Sequence, residues 1–318
     1  MTETLNGLVD CTNEQYHASA GISKSKLDAL AISPLNFWDQ YINPYREERE
    51  YKHCFAVGDG THKLVLEPGT FEQTYAVGFD KSKYPNALNT TDQIKQVLNE
   101  RGLPARGTKP ELIRMLKSDG YEGQILAELE EEHKRTMSGR IPIPSVDYKN
   151  MMAMLKAVSR HHTAADLLRG ATVEESFYVT DSNGILRKCR TDAISACGRI
   201  ILDLKTTDDV SDWGFGKTIS QRRYHVQAAW YLDILKMLYG NDAPDIFAFI
   251  AVQKTRPYDC AVHVISPQQI ELGRQYYQRD LMTYLDCQLT GEWHGKDGGK
   301  ILEPKLPPHE MNKLIYGL

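Results

Sequence analysis

No stretch of this chain approaches the ~20 consecutive apolar residues that a membrane-crossing helix requires. Its first residues, MTETLNGLVD, lack the basic start and apolar run of a secretory signal. The expected location is therefore the cytoplasm, with no membrane among its partners. Cysteine is sparse: the six residues at 11, 54, 189, 197, 260 and 287 include no CxxC pair and keep no regular spacing, which suits reduced thiols and speaks against a disulfide framework. An excess of positive charge is also missing, with 38 Lys and Arg against 42 Asp and Glu. A net charge of −4 excludes coating of nucleic acid by the whole surface, so any DNA contact must come from local basic clusters. What remains is 318 residues with 41% hydrophobic content, enough for one large domain or two smaller ones.

The chain is organised around TDAISACGRIILDLK, residues 191–205. RIILDLK alternates, which puts Ile201, Asp203 and Lys205 on one strand face and Ile200, Leu202 and Leu204 on the other. Ala196-Cys197-Gly198 carries the glycine of a tight hairpin, and a turn centred on Cys197-Gly198 sets Asp192 directly opposite Asp203. Cross-strand neighbours lie about 4.5–5.5 Å apart. Two carboxylates that close repel each other unless a cation neutralises them, and all-oxygen ligation suits Mg²⁺ or Mn²⁺. The predicted metal site therefore contains Asp192, Asp203 and the backbone carbonyl of Leu204, with Lys205 orienting water or stabilising developing charge in phosphodiester hydrolysis. The alternative is a solvated strand edge that carries lysine to discourage pairing.

Asp, a hairpin, then Asp-x-Lys resembles the PD-(D/E)xK nuclease superfamily. Some of its members carry an iron-sulfur cluster on four cysteines, but Cys260 and Cys287 are too few and too scattered downstream for one here. ISKSKLDAL followed by SPLNFW resembles the opening of the exodeoxyribonuclease VIII (RecE-type) family. The surrounding stretch reads as a helix capped at Ser23 or Ser25 and ended or restarted by Pro34. Gly58 and His62, four apart before a helix that closes at Glu67-Pro68, match the motif that supplies a metal-site histidine in RecB- and RecE-type nucleases. That resemblance assigns His62 to the metal, whereas a lone helical histidine is more often structural. A glutamate on the strand before the hairpin is a further ligand in such nucleases. Glu174 is the choice here, with Glu175 on the opposite face left open. After the Asp-x-Lys strand, Gln227 and Tyr231 share a helix face and match the QxxxY companion motif flanking the site. Without the resemblance, Gln227 reads as a buried amide. Arg222 and Arg223 stand just before it, available for phosphate.

Residues 69–86 read as connecting chain. The next segment changes character: LNTTDQIKQVLNERGLPARGTKPELIRMLKSDG contains two short helical patterns joined by GLPARGTK, with Ile94, Val97 and Leu98 facing Leu112, Ile113 and Leu116. It resembles a SAP motif along nearly its full length. That resemblance implies DNA phosphate contacts from Arg101, Arg106, Lys109 and Arg114. The competing reading is a basic helix pair used for protein contact. ILAELEEEHKR is expected to be a solvated helix, Met151, Met152, Met154, Leu155 and Val158 a core stripe, and His161 and His162 helix-end residues. FAFIAVQKT and CAVHVIS complete the sheet, and the tail around Trp293 resembles the closing stretch of the same exonuclease family.

The expected fold is α/β, a restriction-endonuclease-like core with a mixed sheet flanked by helices and a small helical insertion. The expected divisions are 1–86 (core), 87–120 (SAP-like insertion) and 121–318 (core with the active site). The resemblance implies a Mg²⁺-dependent exonuclease acting on double-stranded DNA with free ends, 5′ to 3′, for which Mn²⁺ substitutes. It also implies a homo-oligomeric ring and a single-strand annealing protein as partner. The rivals are a structure-specific or nicking endonuclease of the same fold and a catalytically silent DNA-binding adaptor. Two carboxylates facing each other across a hairpin argue against the adaptor.

Overall fold

The computed structural model describes residues 6–46, 53–137, 139–307 and 310–313. Its strands, in chain order, are β1 (Gly7–Val9), β2 (Tyr75–Val77), β3 (Ile141–Ile143), β4 (Thr172–Thr180), β5 (Leu186–Ile194), β6 (Ile200–Thr207), β7 (Ile246–Gln253) and β8 (Cys260–Val264). Six of them form one mixed sheet in the order β1-β4-β5-β6-β7-β8, and β2 pairs with β3 in a small parallel ribbon. Within the large sheet only β6 and β7 are parallel. A parallel pair needs a crossover, here the helices α11 (Asp212–Gln221) and α12 (Tyr224–Tyr239). β7 is buried from Phe247 to Val252, as expected of a central strand covered on both faces.

Two helical layers cover the sheet. On one face α12 packs with α2 (Lys24–Ile32), α3 (Pro34–Tyr41) and α13 (Pro267–Thr290), burying Leu27, Phe37, Trp230, Phe249 and Tyr277 in the largest core. On the other, Met151, Met154 and Val158 of α9 (Ser145–Arg160) meet Leu204, Ile250 and Val252, and α4 (His53–Leu66) lies alongside. Alternation along β6 decides which groups reach which layer. Ile201 joins the first core, whereas Leu202 and Leu204 face the second layer. Asp203 and Lys205 thus share the α12 side with Ile201.

Local signals account for the helix ends. Ser23 stands at the N-cap of α2, Ser33 accepts from Asn36 N–H to cap α3, and Pro34 occupies its first turn. The expected break at Pro34 separates α2 from α3, and the stretch from Tyr16 divides once more, its first residues belonging to α1 (Asn13–Ala18). The segment after Lys205 is likewise two helices, interrupted at Arg222-Arg223, where Arg223 takes a left-handed φ of 54°. The supposed connecting chain of 69–86 includes α5 (Phe71–Thr74) and β2. At the other end of the chain Trp293 stacks on Phe37 with ring centres 5.2 Å apart, and Leu35 N–H donates to the His294 carbonyl.

α6 (Thr91–Glu100) and α7 (Lys109–Ser118) build a separate small core of Ile94, Leu98, Leu112 and Leu116. Ile125 completes it, and a bridge between Leu88 and Ile125 closes the unit, so it extends past the expected boundary at 120. α8 (Leu126–Thr136) leads away from it, and α10 (His162–Leu168) follows α9. His161 caps α10 by accepting from Ala164 N–H, and His162 pairs with Asp166. Among the described residues no helix is long and apolar enough to cross a membrane.

Candidate active site

Ala193 faces Leu202 and Ile194 faces Ile201 across the β5–β6 hairpin, the register that sets Asp192 against Asp203. The ladder stops there. Beyond it the strands separate, and Leu204 N–H donates to the Asp192 Oδ2 at 2.8 Å where a backbone carbonyl would ordinarily accept. In an extended strand a residue's N–H and C=O point to the same edge, so the Leu204 carbonyl opens onto the same gap.

Asp203 is 1% exposed. Gln227 Nε2 donates to its Oδ1 at 2.5 Å, and Lys205 Nζ lies 2.5 Å from its Oδ2. The carboxylate is thus held between an amide on one oxygen and an ammonium on the other. Burial disfavours the Lys205 ammonium, but the carboxylates of Asp203 and Asp192 outweigh it and hold the group charged above the ordinary lysine range. The Lys205 ammonium also stands 5.0 Å from the ring centre of Tyr224. Tyr224, Gln227 and Tyr231 follow one another at helical spacing on α12, so one helix face presents all three. Tyr231 borders the cleft, and burial raises its phenol well above the usual tyrosine range, which keeps it protonated.

The other half of the site comes from α4 and β4. His62 Nδ1 lies 3.3 Å from Asp192 Oδ2, and ligand atoms of His62, Glu174 and Asp192 all fall within 4.8 Å of one another. Burial first, then the Lys205 charge, lowers the His62 pKa and favours the neutral, ligating imidazole. Burial first, then the Asp203 charge, pushes Asp192 up to about 7. Burial and Asp192 raise Glu174, against the pull of Arg190. Glu175 is turned away and accepts from the Thr172 hydroxyl. This donor set fits a hard divalent cation: clustered carboxylates reluctant to ionise together and one neutral imidazole. Asp203 is not a member of the three-residue cluster, because Lys205 and Gln227 already hold it.

The cluster borders a cleft of about 1110 Å³, walled by residues 10–17 on one side and by α4, α11 and α12 on others. Exposed Arg222 is on its rim. Arg223, expected to be available for phosphate, has its guanidinium paired with Asp280 and Asp28 and donating to the Leu27 carbonyl, which ties α12 to α2 and α13. In the helical unit Arg101 binds Asp119 through both side chain and backbone, and Lys109 Nζ donates to the Asn89 carbonyl. Those two basic groups serve the unit's own closure, whereas Arg106 and Arg114 are exposed. Two site residues escaped the sequence reading. Arg190 shares a strand face with Asp192 two positions upstream, and Tyr224 precedes Gln227 by three, so period-two and helical spacing respectively would have found them.

A protein from Eubacterium rectale, provisionally named an exonuclease, has a similar fold: the match covers 95% of this chain and 98% of that one, with a TM-score of 0.57 at 13% identity. A second solved structure, SSO0001, matches 59% of this chain and 83% of its own at 14% identity with a TM-score of 0.27. No curated protein sequence matches the chain. The splayed hairpin, its carboxylates and the adjoining lysine are the Asp and Asp-x-Lys pattern set in a mixed sheet between helical layers, and over residues 23–301 the chain belongs to the family described as PDDEXK-like domain of unknown function (DUF3799).

Proposed function

We propose that this protein is a divalent-metal-dependent nuclease that degrades double-stranded DNA from free ends. The observation that carries the reading is the convergence of Asp192, Asp203, Lys205 and Gln227 with His62 and Glu174 beside one polar cleft. His62, Glu174, Asp192 and the Leu204 carbonyl would hold the cation, with Asp203 adjacent. When bound, Mg²⁺ or Mn²⁺ supplies polarisation of a phosphoryl oxygen and a water of lowered pKa.

The chain's own groups do the rest. Lys205, kept charged by Asp203, offers a fixed cation to the negative charge that develops on the phosphate. Gln227 locks the Asp203 carboxylate, so the Asp-Lys pair enters the reaction already oriented and needs no reorganisation. The Tyr224 ring borders the lysine and limits where its ammonium can move. Arg222, on the rim of the cleft, would meet a phosphate further along the strand.

The resemblance to exodeoxyribonuclease VIII refines the reading to 5′-to-3′ digestion that leaves single-stranded overhangs for recombination, by a homo-oligomeric ring working with a single-strand annealing protein. The helical unit at 88–127, SAP-like in sequence, would add duplex affinity through Arg106 and Arg114. Linear duplex labelled at either the 5′ or the 3′ end and a covalently closed circle, each incubated with Mg²⁺, test this. Early release of the 5′ label with the circle intact is the expected result. Cutting of the circle replaces the exonuclease by an endonuclease of the same fold. No cleavage under any divalent metal overturns the enzymatic reading.

A further inference from the structure

Glu174 is held in a conformation that its sequence does not favour. Its φ is 55°, in the left-handed region, where a glutamate inside a strand is rare and strained. The pairing on either side is undisturbed, Val173 with Ala193 and Glu175 with Thr191, so no extra residue explains the twist. Arg190 does. Its Nε donates to Glu174 Oε2 at 2.8 Å, and one terminal nitrogen donates to Ser176 Oγ at 2.6 Å and to the Cys11 carbonyl at 3.1 Å. Ser176 is 1% exposed, and Cys11 lies between β1 and α1. The arginine is therefore anchored from both sides, by the strand that carries Glu174 and by the N-terminal segment.

We propose that Arg190 is the positioning residue for Glu174 in the cation site, and that the segment Gly7–Ala18 is part of that site through the Cys11 carbonyl, although it lies outside the stretch 23–301 that matches the family. Arg190 holds one oxygen of a Glu174 carboxylate that lies within ligand distance of His62 and Asp192. The N-terminal segment reaches the site twice. β1 pairs with β4 through Val9 and Ser176, beside Glu174, and residues 10–17 wall the cleft. A planar fork fixed at three points sets direction as well as charge, which an ammonium cannot do.

This inference rests on the reading of His62, Glu174 and Asp192 as a cation site, and the test separates the two. Mn²⁺ binding to the DNA-free protein is titrated by electron paramagnetic resonance for the wild type, Arg190→Lys, Arg190→Gln, Glu174→Gln and the double variant Arg190→Gln/Glu174→Gln, with urea unfolding of each. Groups that orient metal ligands typically contribute about 10- to 100-fold to affinity. Arg190→Lys, which keeps the charge, is expected to lose nearly as much as Arg190→Gln. Adding Arg190→Gln to Glu174→Gln is expected to lose nothing further, because Arg190 acts through Glu174. Full affinity in Arg190→Lys means that charge alone matters and overturns the positioning role, as do additive losses in the double variant. Should Arg190→Gln unfold, Ser176→Ala removes a single anchor, and unchanged Mn²⁺ affinity there overturns the proposal. A wild type that binds no Mn²⁺ instead overturns the cation site itself.

Discussion

The nuclease core and the helical unit between Leu88 and Ala127 treat charge in opposite ways. In the core, Asp203 and Gln227 are buried and interlocked, Lys205 and Arg190 are mostly covered, and Asp192 faces Glu174 and Asp203 with only partial compensation. In the helical unit none of the buried residues is charged, and the interior is aliphatic. Its polar groups form a surface clasp, Arg101 with Asp119, and two reciprocal caps, Thr90 with the Gln93 amide and Thr108 with the Glu111 carboxylate. The first arrangement is costly to fold, and under the proposed function it places charge where a phosphate would react. The second is ordinary, and its stability comes from a small apolar core and good helix ends.

The contrast is broken most severely at Asp203. Asp203→Asn keeps the shape and the Gln227 contact but removes the charge, and cleavage is expected to fall by at least about 10³-fold in single-turnover assays while duplex binding in Ca²⁺ survives. Near-normal cleavage would remove Asp203 from the mechanism. Lys205→Met comes next. A loss of about 10²- to 10³-fold in rate is expected with Mn²⁺ affinity retained, since the ammonium stabilises charge and ligates nothing. Loss of metal binding there would place Lys205 in the architecture of the site and not in its chemistry.

In the helical unit the equivalent blow is a cavity. Leu112→Ala is expected to cost about 2–5 kcal/mol and to open the segment to proteolysis. The Mn²⁺ affinity of the core should not change. A parallel loss of metal binding would show that the two regions fold as one.

Acidity sharpens the same contrast. Asp192 has its folded pKa raised above the ordinary aspartate value, so folding favours its protonated form. In the metal-free protein its contribution to stability is therefore fully present below the unfolded value of about 4 and is lost as pH rises through about 7. Urea midpoints of the metal-free wild type should fall across that window, and Asp192→Asn should flatten the fall. Saturating Mn²⁺, which binds the ionised form, should reverse it.

The smallest effect concerns DNA affinity. Arg106→Ala with Arg114→Ala removes two exposed cations, and the slope of log K against log salt should drop by roughly 2, about 1 per contact, with turnover at saturating DNA near normal. Anisotropy at several salt concentrations checks this. An unchanged slope would make the unit a protein-binding element.

Legibility followed the same division. The helical unit was readable almost whole, since its caps, helical spacing and the glycine-bearing loop act between residues close in sequence; only its closure by Ile125 lay beyond the expected boundary. The hairpin register was also readable, because a tight turn fixes which residues face each other. The partner of Arg223 was not. An arginine beside a QxxxY motif looks available for phosphate, and only the packing of α12 against α2 and α13 delivers Asp28 and Asp280 to it.

By itself the sequence determined the Asp192–Asp203 opposition, the Asp-x-Lys strand, the helix carrying Gln227 and Tyr231, and the α/β class, because each depends on alternation, helical period or turn chemistry. The family resemblance had named His62, Glu174 and Asp192 for the metal, but only the tertiary structure decided that these three lie tight together while Asp203 is claimed by Lys205 and Gln227, and that Arg190 holds Glu174 from an anchor on Cys11. Those choices depend on which of several nearby charges wins a given carboxylate oxygen. Distances of a few ångströms between residues far apart in the chain settle that competition, and no local pattern encodes them.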